Sequence, residues 1–177
     1  ISQPIVLADI WDNPGGGVAG DGTLILEALL NTDMDDIAVA TIWDPIAVTF
    51  CHAAGEGARI QLRFGGKSGL GAGSPIDATV IVLKAVSEAW ESFGKSRVPL
   101  GPSAVVRIEG THIDIILNTN RTQTFDPDIF SGIGIDIKTK KIILVKSTNH
   151  FYAAFELVAS AILYVDTGTH YPSDARR

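Results

Sequence analysis

The 177-residue sequence predicts a single α/β domain whose sheet is mixed, partly parallel and flanked by helices. Three observations carry this prediction. In the first third of the chain, apolar runs that read as covered strands alternate with helical segments, an order that implies parallel pairing through right-handed crossovers. The middle third changes to strand-like runs with little helix between them, which favours antiparallel pairing. The composition, 46% apolar and 19% charged, is that of a globular chain, long enough to bury roughly 70% of its unfolded surface.

Each element has a local reason. Residues 4–10 form a near-continuous apolar run, as a strand covered on both faces requires. A loop rich in glycine follows, and a helix is expected over residues 22–30 with Asp21 as its cap. Residues 36–43 read as a second buried strand. Asp44-Pro45 then opens a helix, Asp as cap and Pro in the first turn, that ends before Gly55. Residues 58–64 alternate (Ile60, Leu62, Phe64), and a second glycine-rich loop covers residues 65–73. Residues 104–109 and 112–118 are strand-like; residues 77–88 fit a strand or a helix, because periodicity alone does not separate the two. A loop with a short helix after Asp126-Pro127 spans residues 121–135. Residues 142–145 read as a buried strand, 150–160 as an amphipathic helix, 162–166 as a closing strand and 168–177 as a loose tail.

Composition excludes several classes of function. A net charge of −6 with no basic stripe argues against nucleic acid and against an anionic membrane surface. No run approaches the roughly 20 apolar residues of a membrane span, and no signal peptide is visible. The single cysteine, Cys51, excludes an internal disulfide, reads as a buried structural thiol and suggests a reducing compartment, hence the cytoplasm. A chain that starts at Ile1 instead of Met is expected of a piece excised from a larger protein. Self-association into a homo-oligomer is compatible with all of this.

Chemistry concentrates in residues 8–23. Asp9 interrupts an apolar strand near its C-terminal end, where α/β sheets build their sites, and an ionised acid there needs a partner. Asp12 and Asn13 follow, then Gly15, Gly16 and Gly17. Carboxylates on such a loop suit a metal, an amine or a proton transfer, although they serve equally well to fix the turn before Pro14. Gly15-x-Gly17-x-x-Gly20 also matches the dinucleotide fingerprint, with Asp44 placed as a ribose-binding acid. Against that reading, four residues separate the strand from the first glycine, and Asp12 and Asp21 would face a pyrophosphate with like charge. A second constellation is the segment from Lys146 to Phe151, where a strand again gives way to a helix. There His150 in the first turn would be held neutral by the helix dipole, able to accept a proton, ligate a metal or donate one hydrogen bond. Arg121 offers a fork suited to a carboxylate. No self-sufficient catalytic set assembles from these residues.

Taken in order, Ala8-Asp9-x-x-Asp12-Asn13-Pro14-Gly15-Gly16-Gly17, Gly20-Asp21-Gly22-Thr23, Ile42-Trp43-Asp44-Pro45, Gly65-Gly66-Lys67, Arg121-Thr122-Gln123 with Phe125, and Val145-Lys146-Ser147 with His150-Phe151 resemble the C-terminal domain of the MlrC (microcystinase C) family of zinc metallopeptidases. The resemblance covers nearly the whole chain. It implies a bacterial two-part protein whose larger N-terminal domain supplies the principal zinc ligands and is this domain's partner. The activity it implies is hydrolysis of small peptides such as linearised microcystin. On that basis the domain alone is expected to be inactive. Asp12, or failing it Asp9, is expected to reach the metal or the attacking water, and His150 the substrate or developing oxyanion. Asn13, Gly15, Gly16, Gly17, Arg121, Gln123, Lys146, Ser147 and Phe151 are expected to line the substrate cleft, with Arg121 on a substrate carboxylate. The rival expectation is a binding module that holds an anion or nucleotide on its glycine-rich loop.

Overall fold

A computed structural model describes residues 3–168; residues 169–177 of the expected tail, with His170, lie outside the described residues. The strands are β1 (Ile5–Asp9), β2 (Ile37–Trp43), β3 (Arg59–Phe64), β4 (Ile76–Phe93), β5 (Ser96–Ile108), β6 (Ile113–Asn118), β7 (Ile142–Val145) and β8 (Ala161–Val165). The helices are α1 (Leu24–Leu30), α2 (Pro45–Ala54), α3 (Asp128–Ser131) and α4 (Tyr152–Phe155). All eight strands form one sheet in the order β3-β4-β5-β6-β2-β7-β1-β8. From β6 to β8 every pairing is parallel, and from β3 to β6 every pairing is antiparallel. The mixed sheet is therefore as the sequence predicts, and residues 77–88 are strand.

Strand alternation builds two cores. In β2, Ile37 and Val39 face a cluster that includes Ile25, Leu26 and Leu29 of α1 and Ala47, Val48 and Cys51 of α2. Ala38 and Ala40 face the other side, with Phe130 of α3 and Phe155 of α4. A register shift between Ala40 and Ile42 returns Ile42 to the α2 side. Asp44 caps α2 as expected, accepting from the Ala47 amide at 3.0 Å. Cys51 is buried, and loss of hydration pushes its thiol up to about 11, fitting a structural thiol. Among the described residues no helix is long and apolar enough to cross a membrane.

One expected element fails here, and one observed element has no counterpart in the sequence reading. The segment 150–160 holds only one helical turn, α4, with looser turns on either side. Phe151 and Phe155, both fully buried, anchor it, while Leu157 is 75% exposed, so the apolar period does not continue as a helix. The element without a counterpart is a long hairpin. β4 and β5 pair as far as Phe93 and Ser96, and β5 pairs with β6 only from Ser103 to Arg107. The hairpin therefore runs past the C-terminal end of β6. Pro99 is tolerated because that stretch of β5 lies outside the β6 ladder, so its missing N–H interrupts no pairing there.

Candidate functional site: a cleft across the strand ends

The parallel ladder brings the C-terminal ends of β6, β2, β7, β1 and β8 to one rim, and the candidate residues fall there. Asp9 closes β1 and is only 3% exposed. Its Oδ1 accepts the Asp12 amide at 3.1 Å, turning the chain at once. Asp12 reaches forward, Oδ1 accepting from the Gly20 amide at 3.0 Å and Oδ2 from the Gly22 amide at 2.6 Å. Gly22 is required at that place, because a Cβ would sit 2.6 Å from Asp12 Oδ2. Lys146, next after β7, completes the knot. Its Nζ donates to Asp12 Oδ2 at 2.5 Å and to the Gly22 carbonyl at 2.8 Å, and lies 3.6 Å from Asp9 Oδ2.

A second seam is neutral. Asn13 accepts the Gly15 amide at 2.9 Å and donates to Thr148 Oγ1 at 2.8 Å. Ser147 Oγ donates to Gln123 Oε1 at 3.2 Å. The glycine loop is thus tied to the segment that follows β7, and that segment to the one that follows β6.

The other glycine-rich loop is held by two carboxylates. Asp21 accepts the amides of Lys67 (2.7 Å) and Ser68 (2.9 Å) together with the Ser68 hydroxyl. It is therefore not the helix cap expected of it: α1 begins at Leu24, and Asp21 pins a segment more than forty residues away. Asp44 accepts the Gly65 amide at 3.0 Å and the Lys67 ammonium at 2.7 Å. Gly66 is the most constrained point, with φ +59° and an added Cβ only 2.4 Å from the Ser74 carbonyl carbon. Gly66→Ala is expected to destabilise the protein by about 2 kcal/mol or more, through strain plus backbone collision. A urea midpoint unchanged from wild type would contradict this.

Between the two loops lies a cleft of about 520 Å³, within the range of small-ligand sites. Its walls include Trp11, Asp12, Leu24, Trp43, Ser68 and Arg121, and Gly17 reaches it as well. The expected cleft residues divide accordingly. Arg121 and Gly17 line it; Gly15 and Gly16 are exposed outside it. Lys146, Ser147 and Phe151 are fully buried, so within this domain they brace the rim and present nothing to a ligand. Asn13 and Gln123 are about nine-tenths buried and spent on the seam. His150 leaves the same edge as Asp12, since β7 lies beside β1. Its ring, however, stands against Phe93 of the hairpin (5.5 Å) and Phe125 (6.0 Å), outside the cleft lining. With α4 reduced to one turn that starts after it, the helix-dipole argument for His150 lapses. From sequence, neither Trp11 nor Ser68 is placed in the cleft and Trp43 figures only within a family motif; indoles at two strand ends are the available signal.

The donor set here does not fit a zinc ion. Both Asp12 oxygens are engaged by amides and an ammonium, and Asp9 shares that ammonium. Among the described residues one trio, Asp35, Asp36 and His112, brings three ligand atoms together. It sits before β2 and β6, at the opposite edge, with Asp36 paired to Lys141 at 2.7 Å. Nor does the glycine loop cradle an anion. The amides of Gly15, Gly16, Gly17, Gly20 and Gly22 all donate within the loop, to Asn13, Pro14 or Asp12.

Fold and cleft together define a mixed-sheet α/β domain with a ligand-sized cavity along the ends of its parallel strands. The chain belongs to the MlrC C-terminus family, whose model matches residues 7–177. It is 35% identical over 164 residues to Microcystinase C of Sphingomonas sp., a match covering 93% of this chain and 32% of that protein. A crystal structure named "Putative metallopeptidase" from Mesorhizobium sp. BNC1 superposes with a TM-score of 0.83 at 23% identity, covering 93% of this chain and 33% of that one. The chain thus spans about a third of the length of the proteins it matches.

Proposed function

We propose that this domain forms one wall of the active-site cleft of an MlrC-type zinc metallopeptidase that cleaves small peptides. The observation that supports the reading most directly is the cleft itself: it combines two indoles, an arginine and a buried acidic floor at the edge where α/β sheets place ligands. Because Asp9 and Asp12 are committed to Lys146, the zinc is held by the N-terminal part of the intact protein. This domain supplies binding surface and rigidity. Asp12 acts by fixing the glycine loop, and His150 acts from the hairpin side of the rim.

The full-length protein is expected to hydrolyse a short linear peptide, to lose that activity on chelation and to regain it with zinc, while the 177-residue chain cleaves nothing under any of these conditions. Full-length Asp12→Ala and His150→Ala are each expected to lower the rate. Full activity of the isolated chain, or unchanged rates in both variants, would overturn the reading.

A further inference from the structure

Arg121 differs from the other described arginines. Arg59, Arg63 and Arg107 are bound to Glu109, Asp77 and Asp114, and Arg97 lies 4.0 Å above the Trp90 ring. Arg121 has no hydrogen bond or ion pair among the described residues, is exposed, and stands in the cleft wall. The two cleft indoles are held in place. Trp43 Nε1 donates to the Thr119 carbonyl at 2.8 Å, two residues before Arg121, and Trp11 Nε1 donates to Asp166 at 2.7 Å. With its N–H group satisfied, the Trp43 ring offers a ligand mainly apolar surface. Asp9 and Asp12 share one ammonium, so the β1 part of the cleft carries excess negative charge. The β6 part carries the guanidinium. A cavity polarised in this way selects the orientation of a ligand.

We propose that the cleft binds a carboxylate carried on a large apolar group, as at the carboxyl terminus of a short peptide, with the carboxylate on Arg121 and the apolar side chain against Trp43. A guanidinium matches a carboxylate through two parallel hydrogen bonds, and the acidic floor repels the same carboxylate from the far end. Indole surfaces favour an aromatic or large aliphatic side chain. This deepens the reading of the domain as a peptide-cleft wall and rests on it, but its test needs no catalysis.

The test is calorimetric titration of the full-length protein, stripped of metal by chelation, with N-acetyl-L-phenylalanine and with its C-terminal amide. The acid is expected to bind at least about tenfold more tightly than the amide, the scale of one charged hydrogen-bonded pair. Arg121→Ala should erase that preference and Arg121→Lys should retain part of it. Weaker binding of 3-phenylpropionate than of the acetylated amino acid identifies the ligand as a peptide terminus, and equal binding extends the same site to aromatic acids at large. Equal affinity for acid and amide in the wild type, no saturable binding of either, or a preference that survives Arg121→Ala overturns the proposal. Loss of peptide hydrolysis with the acid preference intact would instead count only against the broader functional reading.

Discussion

Lys146→Met is expected to cost about 3–5 kcal/mol of stability, the usual result of removing one partner from a buried charge cluster. The Lys146 side chain is fully buried, and its Nζ serves Asp12, Asp9 and the Gly22 carbonyl at once. Methionine fills most of the volume but leaves two carboxylates under the glycine loop without a cation. Lys67 provides the contrast. It also contacts a buried aspartate, Asp44 at 2.7 Å, but its side chain is 35% exposed, so Lys67→Met should cost only about 1 kcal/mol or less. Urea midpoints of the two variants decide the matter, and similar losses would show that the Lys146 cluster has no special weight. Adding Asp12→Asn to Lys146→Met should recover part of the loss, because the amide keeps an acceptor for the loop while removing one uncompensated charge. Burial lowers the Lys146 pKa, but Asp12, Asp9 and Asp21 outweigh it and leave a net rise. The contribution is therefore complete below the ordinary lysine value of 10.5 and fades only as pH climbs through the raised value. The difference between wild type and Lys146→Met should accordingly stay level from pH 6 to about 9.

Which parts of this arrangement a sequence can disclose depends on how far each residue's partner lies along the chain. Asp44-Pro45 is legible as a cap because its partner, Ala47, is three residues away. Asp9 stands out because a carboxylate breaking an apolar strand needs a partner somewhere, although nothing local identifies Lys146. A lysine after an apolar strand looks the same whether it points to solvent or folds beneath a loop, and here only the docking of residues 10–23 decides. Asp21 misleads for a related reason. It stands just before a helix and chemically suits a cap, but Thr23 intervenes and the amides of Lys67 and Ser68 take it. The hairpin past β6 was hidden by Pro99, Gly101 and Pro102, which signal a break in a central strand but not in one lying beyond its neighbour. The family was legible because the order of several short motifs is specific where each alone is weak.

Glu91→Gln should flatten the pH dependence of stability between about pH 5 and 8 and stabilise the protein at pH 8–9 by a few kcal/mol. Glu91 sits on the projecting part of β4 with no exposed surface. Its Oε2 accepts the amides of Phe125 (2.7 Å) and Asp126 (3.4 Å), and its Oε1 has no hydrogen-bond partner among the described residues. Loss of hydration is the largest influence and, helped by Asp128 and Asp126, overcomes the two amides, so the carboxyl is pushed up to about 8 from its ordinary 4.5. Between those two values the folded state holds a proton that the unfolded chain has released, so each rise in pH favours unfolding. The loss accumulates above pH 4.5 and is complete only past 8, on the order of 5 kcal/mol for a shift of this size. Glutamine keeps an acceptor for the Phe125 amide and cannot ionise, so the hairpin stays docked beside Phe93, Phe125 and His150 at alkaline pH. Unfolding curves for wild type and Glu91→Gln at pH 5, 7 and 9 should therefore diverge as pH rises. Curves that remain parallel across that span would mean Glu91 is charged in the fold at neutral pH, held there by the two amides despite its burial.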